Sequence, residues 1–265
     1  MCGVCGCDEN GNGKHSHTNE EHHHHSEVVS KQRLIEVERS ILSNNDRVAA
    51  HNRANFKKNR QLVLNLMSSP GSGKTTLLTE TLNLLSGKIR CAVIEGDQQT
   101  ENDANRIRAT QTPAYQVNTG KGCHLDADMI HHAMHHLAFE GEGIVFIENV
   151  GNLVCPASFD LGEHSKVAIL SVTEGDDKPL KYPYMFAEAD YMIINKIDLT
   201  PYVSFDIAKC IENARSVNPA IKVIELSATT HEGMNDWLSV LNSMLASYSI
   251  ASEVPPTAAT NDVMV

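Results

Sequence analysis

Residues 62–76 read LVLNLMSSPGSGKTT, and the fold turns on them. The run 62–67 is apolar and short, the length of a buried strand. It breaks into Ser68-Ser69-Pro70-Gly71-Ser72-Gly73, then Lys74-Thr75-Thr76, and continues as the helix-favouring TLLTETLNLL. Strand, glycine-rich loop and helix in that order are the setting of a phosphate-binding loop. Gly71 and Gly73 let the backbone curl, so that the N–H groups from Gly71 through Ser72, Gly73, Lys74, Thr75 and Thr76 face phosphate oxygens at the positive end of the helix. Lys74 is placed to reach the β- and γ-phosphates, and the Thr75 hydroxyl to ligate Mg²⁺. Ser68 stands where the pattern usually has glycine, and it is small enough to serve.

Working outward, short apolar runs at 89–95, 114–117, 144–147, 167–172, 191–194 and 223–226 alternate with helical patterns at 101–108, 125–139, 201–215 and 233–246. This alternation predicts an α/β fold with a mostly parallel sheet flanked by helices on both faces. Ligands of such sheets bind beyond the carboxyl ends of the strands, where every motif discussed below falls. Residues 1–30 carry almost no large apolar side chains and are expected to be a disordered Cys/His-rich tail. Residues 31–60 repeat Leu34, Ile35, Val37, Ile41, Leu42 and Val48 at helical intervals, as an amphipathic helix on the domain edge. The phosphate-loop domain is expected over 61–250, and 251–265 to fray.

The net charge of −11 argues against nucleic acid as the main partner. No apolar run approaches the ~18 residues of a membrane span. The amino terminus lacks the basic-then-apolar pattern of a secretory signal, so a cytoplasmic setting is expected. In that reducing setting, clustered cysteines read as metal ligands rather than disulfides.

The tetrapeptide Asn195-Lys196-Ile197-Asp198 fits the element that reads guanine. The Asp198 carboxylate can accept from both N1–H and the exocyclic amine, which adenine lacks. Asn195 can tie the base edge to the phosphate loop, and the Lys196 stem can cover the ring. Ser227-Ala228-Thr229 follows the last strand, where backbone N–H groups would meet the base oxygen. Asp97 and Glu148 each close a strand and are candidates near Mg²⁺, with Asp97 expected to join Thr75 as a ligand. No arginine finger or water-positioning glutamine stands out, so slow hydrolysis and a switch-like use of GTP and GDP are expected.

Two constellations point to a transition metal. Cys2, Cys5 and Cys7 put three thiolates within six residues, suited to Ni²⁺ in a planar arrangement or Zn²⁺ in a tetrahedral one. His15, His17 and His22 to His25 follow as a looser store. Cys123-His124 precedes a predicted helix, and Cys155 lies seven residues beyond Glu148, in the loop where such GTPases sense the γ-phosphate. If these three share an ion, metal and nucleotide must influence each other. His131, His132, His135 and His136 form i,i+4 pairs but lack an evident thiol or carboxylate partner, and are read as solvated. His51, His164 and His231 carry no assignment, and Cys91 and Cys210 read as small core residues.

Taken together, MCGVCGC, the histidine tract, SSPGSGKTTLL, EGDQQTENDA, NTGKGCHLDA, ENVGNLVCP and NKID resemble the HypB family of nickel-incorporation GTPases of [NiFe]-hydrogenase maturation. The resemblance spans nearly the whole chain, and GKGCHLDA paired with GNLVCP is particular to that family. It implies the SIMIBI class of P-loop GTPases, a homodimer promoted by GTP or metal, and partnership with the accessory protein HypA and a hydrogenase large-subunit precursor. It assigns Cys2, Cys5 and Cys7 to a tight nickel site and Cys123, His124 and Cys155 to a zinc or nickel site near the dimer interface. Rival readings are a urease-accessory type of GTPase, whose Cys-Pro-His motif is replaced here by Cys155-Pro156-Ala157, and a nickel storage protein with a minor GTPase role.

Overall fold

The computed structural model describes residues 23–97, 102–120 and 122–253. Seven strands form one all-parallel sheet: β1 (Gln61–Ser68), β2 (Cys91–Asp97), β3 (Ala114–Asn118), β4 (Gly143–Glu148), β5 (Ser165–Ser171), β6 (Tyr191–Asn195) and β7 (Lys222–Glu225). Their order across the sheet is β3-β2-β4-β1-β5-β6-β7, with β1 in register against β4 on one side (Leu66 beside Glu148) and β5 on the other (Ser68 beside Ile169). The expected α/β class is the one observed. The central strands are buried on both faces, which is why they read as continuous apolar runs rather than alternating ones.

Each helix covers one face. On the first, Leu62, Leu64 and Leu66 of β1 meet Leu77, Leu78 and Leu82 of α2 (Lys74–Leu85), Ile107 of α3 (Asn102–Arg108), and Trp237 and Leu241 of α8 (Met234–Glu253). On the other, Val63, Val145 and Ile147 pack under Phe56 of α1 (His23–Lys58) and Ile130 and Ala133 of α4 (Ala127–Leu137). Met67, Leu170 and Ile194 pack under α5 (Lys178–Lys181), α6 (Pro183–Glu188) and α7 (Ile207–Val217). The pair α5–α6 was not anticipated: each is a single short stretch opened by proline, with no periodicity to read.

The boundaries of α1 differ from the expected ones. The helix opens at His23 rather than residue 31, and at 36 residues it spans about 54 Å, longer than the sheet it crosses. Towards its carboxyl end it packs on the domain, with Ala49, Asn52 and Phe56 buried, whereas Val37 and Ile41 are exposed. At the other end α8 runs to Glu253, past the expected start of the carboxyl tail.

Candidate functional site

The carboxyl ends of β1, β2, β4 and β6 converge on the phosphate loop. Gly71 and Gly73 have φ of +77° and +89°, a region that side-chain-bearing residues rarely adopt. At Gly73 the constraint is also steric: a Cβ would stand 2.6 Å from Asn195 Nδ2. Asn195 itself donates to the Ser72 carbonyl at 3.0 Å and accepts from Ala228 N–H at 3.2 Å, tying the phosphate loop to the loop after β7. The Lys196 ammonium reaches back to the Gly71 carbonyl at 2.7 Å.

Lys74 Nζ donates to Glu148 Oε1 at 3.0 Å and to the Asn149 carbonyl at 2.6 Å, and Thr75 Oγ1 donates to the same glutamate oxygen at 2.5 Å. A cavity of about 600 Å³ opens over the loop, lined by residues 68–76 together with Glu95, Gly96, Asp97, Asp103, Arg106, Val150, Gly151 and Lys196. Asp97 thus faces the phosphate loop from the end of β2. Ser227 and Ala228 are buried beneath Asn195, and the Ser227 hydroxyl accepts from Thr230 N–H.

Among the described residues, six buried side-chain oxygens lack a hydrogen-bond partner, and Ser72 Oγ, Glu95 Oε2, Glu148 Oε2 and Asp198 Oδ1 are four of them. Buried acceptors are normally satisfied, so unsatisfied ones mark where a ligand belongs. The free oxygen of Asp198 suits an N–H-bearing base. Those of Glu148 and Glu95, close to the Thr75 hydroxyl and Asp97, suit a hard cation such as Mg²⁺.

Three contributors to this region gave no signal in the sequence. Glu95 sits inside an apolar strand and was passed over. Burial, then the neighbouring Glu148 and Asp97 charges, push its carboxyl up from 4.5 to about 8. Arg106 comes from α3, brings a cation to the cavity wall and donates to Thr76 Oγ1 at 3.1 Å. Glu174 accepts from the Ser69 hydroxyl and, at 3.0 Å, from Ser171 N–H, bracing the loop against β5.

The second centre lies on the same edge of the sheet. The donor atoms of Cys123, His124 and Cys155 are all within 4.8 Å of one another, the one such group of at least three among the described residues. Cys123 Sγ and His124 Nδ1 are 3.6 Å apart, and a tetrahedral Zn–S/Zn–N pair would place them about 3.6 Å apart. The His124 ring stacks on Phe159, centroids 3.8 Å apart, and burial holds its pKa below the ordinary value, which favours the neutral, ligating form. Cys155 is buried at the start of a 3₁₀ turn (Cys155–Ser158), with Asn152 Oδ1 accepting its N–H at 3.3 Å. Two sulfurs and one imidazole make a soft donor set open to a fourth ligand.

The two centres are joined. Asn149, wholly buried, receives Lys74 at its carbonyl, while its Oδ1 accepts from the N–H of Leu125, the residue after His124, at 3.2 Å. Cys2, Cys5 and Cys7 lie outside the described residues, as do His15, His17 and His22.

The CobW/HypB/UreG nucleotide-binding domain matches residues 62–225. Hydrogenase maturation factor HypB of Escherichia coli K12 is 65% identical over 215 residues, covering 81% of this chain and 74% of the relative. The chain belongs to the HypB family. Among solved HypB structures, that of Helicobacter pylori in complex with nickel is 40% identical with a TM-score of 0.73, covering 77% of this chain and 96% of that one. That of Archaeoglobus fulgidus is 38% identical with a TM-score of 0.72, over 77% and 100% of the two chains. Among the described residues no helix is long and apolar enough to cross a membrane.

Proposed function

We propose that this chain is a GTP-hydrolysing metallochaperone in which the nucleotide gates transfer of nickel to a [NiFe]-hydrogenase precursor. One observation carries the reading: Asn149 links the lysine of the phosphate loop to the backbone that presents Cys123 and His124. Cys155 lies on the strand-end loop that begins at Glu148, the carboxylate that receives Lys74 and Thr75. A terminal phosphate competes with Glu148 and Asn149 for Lys74. Once Lys74 turns to phosphate, the loop bearing Asn149 and Cys155 loses an anchor and the metal group is free to change geometry.

In hydrolysis, the N–H groups of residues 71–76 and Lys74 hold the phosphates, and Asp198 with Asn195 and Ala228 selects guanine. Arg106 is the protein's own candidate for meeting charge on the transferred group. Thr75, Asp97 and Glu148 would hold Mg²⁺, which neutralises phosphate charge when bound. Cys123, His124 and Cys155 would hold nickel as cargo or zinc in its place, and Cys2, Cys5 and Cys7 would hold nickel more tightly. The family supports a GTP- or metal-promoted homodimer in the cytoplasm, working with HypA and the hydrogenase large-subunit precursor.

The test is a nickel titration with and without a non-hydrolysable GTP analogue. In the unaltered chain, affinity at the domain site is expected to depend on the nucleotide, and in Cys155→Ala that dependence disappears. Equal dependence in both proteins removes Cys155 from the mechanism.

A further inference from the structure

Three of the four α4 histidines, His132, His135 and His136, are exposed as expected, and His131 is half-buried. His131 Nε2 and His135 Nε2 approach to 3.3 Å across one helical turn. Their rings meet edge to face at 4.7 Å between centroids. From the facing helix α1, His51 closes on His131, centroids 5.3 Å apart and rings inclined at 63°. His132 turns instead to Asp128 on its own helix, Nε2 to Oδ2 3.6 Å, and His136 stacks flat on Tyr115 at 4.9 Å. The helix therefore sorts its four imidazoles, and two of them join one from α1.

We propose that His131 and His135, with His51 opposite, form a divalent transition-metal site separate from the Cys123–His124–Cys155 centre. Histidines at i and i+4 are a recurrent chelating pair. Two nitrogens bound at 2.0–2.1 Å to one tetrahedral ion stand about 3.3 Å apart, the separation found here without any rearrangement. His51 becomes the third ligand by a side-chain rotation that exchanges its contact with Asn55 Nδ2, now 3.0 Å, for the metal. Water fills the remaining positions, because His51 and His135 are exposed.

The nearby charges fit this use. Burial and the adjacent His135, His51 and His132 rings hold His131 below its ordinary pKa, so it offers a lone pair at neutral pH. Arg47 and Asp128 both line the hollow shared by His51 and His131, and their opposite charges offset each other there. With nitrogen donors and no thiolate, the site exchanges its ion faster and holds it less tightly than the cysteine centre. His131 is the fifth residue of α4, whose first residue lies three positions after His124.

The experiment uses the full chain with Ni²⁺ as probe. Saturating Ni²⁺ is expected to protect His131 and His135 from diethyl pyrocarbonate, read residue by residue by tandem mass spectrometry, while His231 on the opposite face keeps its reactivity. His135→Gln, whose folding is checked by circular dichroism, is expected to bind one equivalent of Ni²⁺ fewer at the same free concentration, the amino-terminal cysteines and histidines being common to both proteins. Unchanged reactivity of the pair under saturating Ni²⁺, or an unchanged nickel count in His135→Gln, overturns the site.

Discussion

A single carboxylate, Glu95, reports how the nucleotide site is built. It lies near the carboxyl end of β2 beside Glu148 of β4 and Gln116 of β3, 2% exposed, and faces two more acids without a partner for one oxygen. Desolvation first, and the Glu148 and Asp97 charges second, raise its pKa from 4.5 to about 8, so at neutral pH it is mostly protonated. A raised carboxyl pKa means that the folded chain binds a proton the unfolded chain has released. Its contribution to stability is complete below pH 4.5 and is lost as pH rises through about 8. In nucleotide-free protein, urea denaturation between about pH 5.5 and 8.5 should show stability declining less in Glu95→Gln than in the unaltered chain. Parallel profiles in the two proteins would mean that the carboxyl is already ionised at neutral pH. The prediction needs apo protein, because a bound cation would hold the charged form.

Helices α1 and α4 are joined by asparagines rather than by apolar contact alone. Asn52 Nδ2 donates to the Ala127 carbonyl at 2.8 Å and to the Leu161 carbonyl at 3.2 Å. Asn45 donates to the Asp160 carbonyl at 2.8 Å and accepts from Ala127 N–H at 2.9 Å. They fix the amino end of α4, immediately after Cys123-His124, and the chain entering β5. Replacing Asn52 by Ala removes both bonds, leaving the Leu161 carbonyl without this donor while the Ala127 carbonyl keeps its place in the α4 ladder, and should cost about 1–3 kcal/mol, read as a lower urea midpoint at unchanged slope. None of this was legible in the sequence. An asparagine on a helix carries no periodic signal, and its partners are backbone groups 75 to 115 residues away. The strands were legible for the opposite reason: β1, β4 and β6 are mostly apolar because helices cover both faces of the sheet. Glu95 escaped notice inside that same apolar pattern, and the single turns α5 and α6 were too short to show a period. The motif residues at strand ends were visible because glycine, lysine, cysteine and aspartate there serve ligands rather than packing.

Across the whole molecule, one sheet edge carries both centres, and Asn149 is the part they share. Its carbonyl meets Lys74, its Oδ1 meets the N–H groups of Leu125 and Val150, and its amide donates to Asn65 Oδ1 at 3.2 Å in the core. Asn149→Ala keeps the carbonyl and every proposed metal or phosphate ligand, and removes only the side-chain link. The variant should therefore bind nickel at the domain site and a GTP analogue separately, with the dependence of each on the other reduced. Reciprocity makes this checkable from both directions: whatever factor the nucleotide imposes on nickel affinity, nickel must impose on nucleotide affinity. Isothermal titration of nickel with and without the analogue, and of the analogue with and without nickel, should give two equal factors in the unaltered chain. Both should fall towards unity in Asn149→Ala. A full coupling factor surviving in the variant would place the connection elsewhere: on the covalent path from Glu148 to Cys155, or through Asp97, whose carbonyl accepts from Thr119 N–H at 3.0 Å.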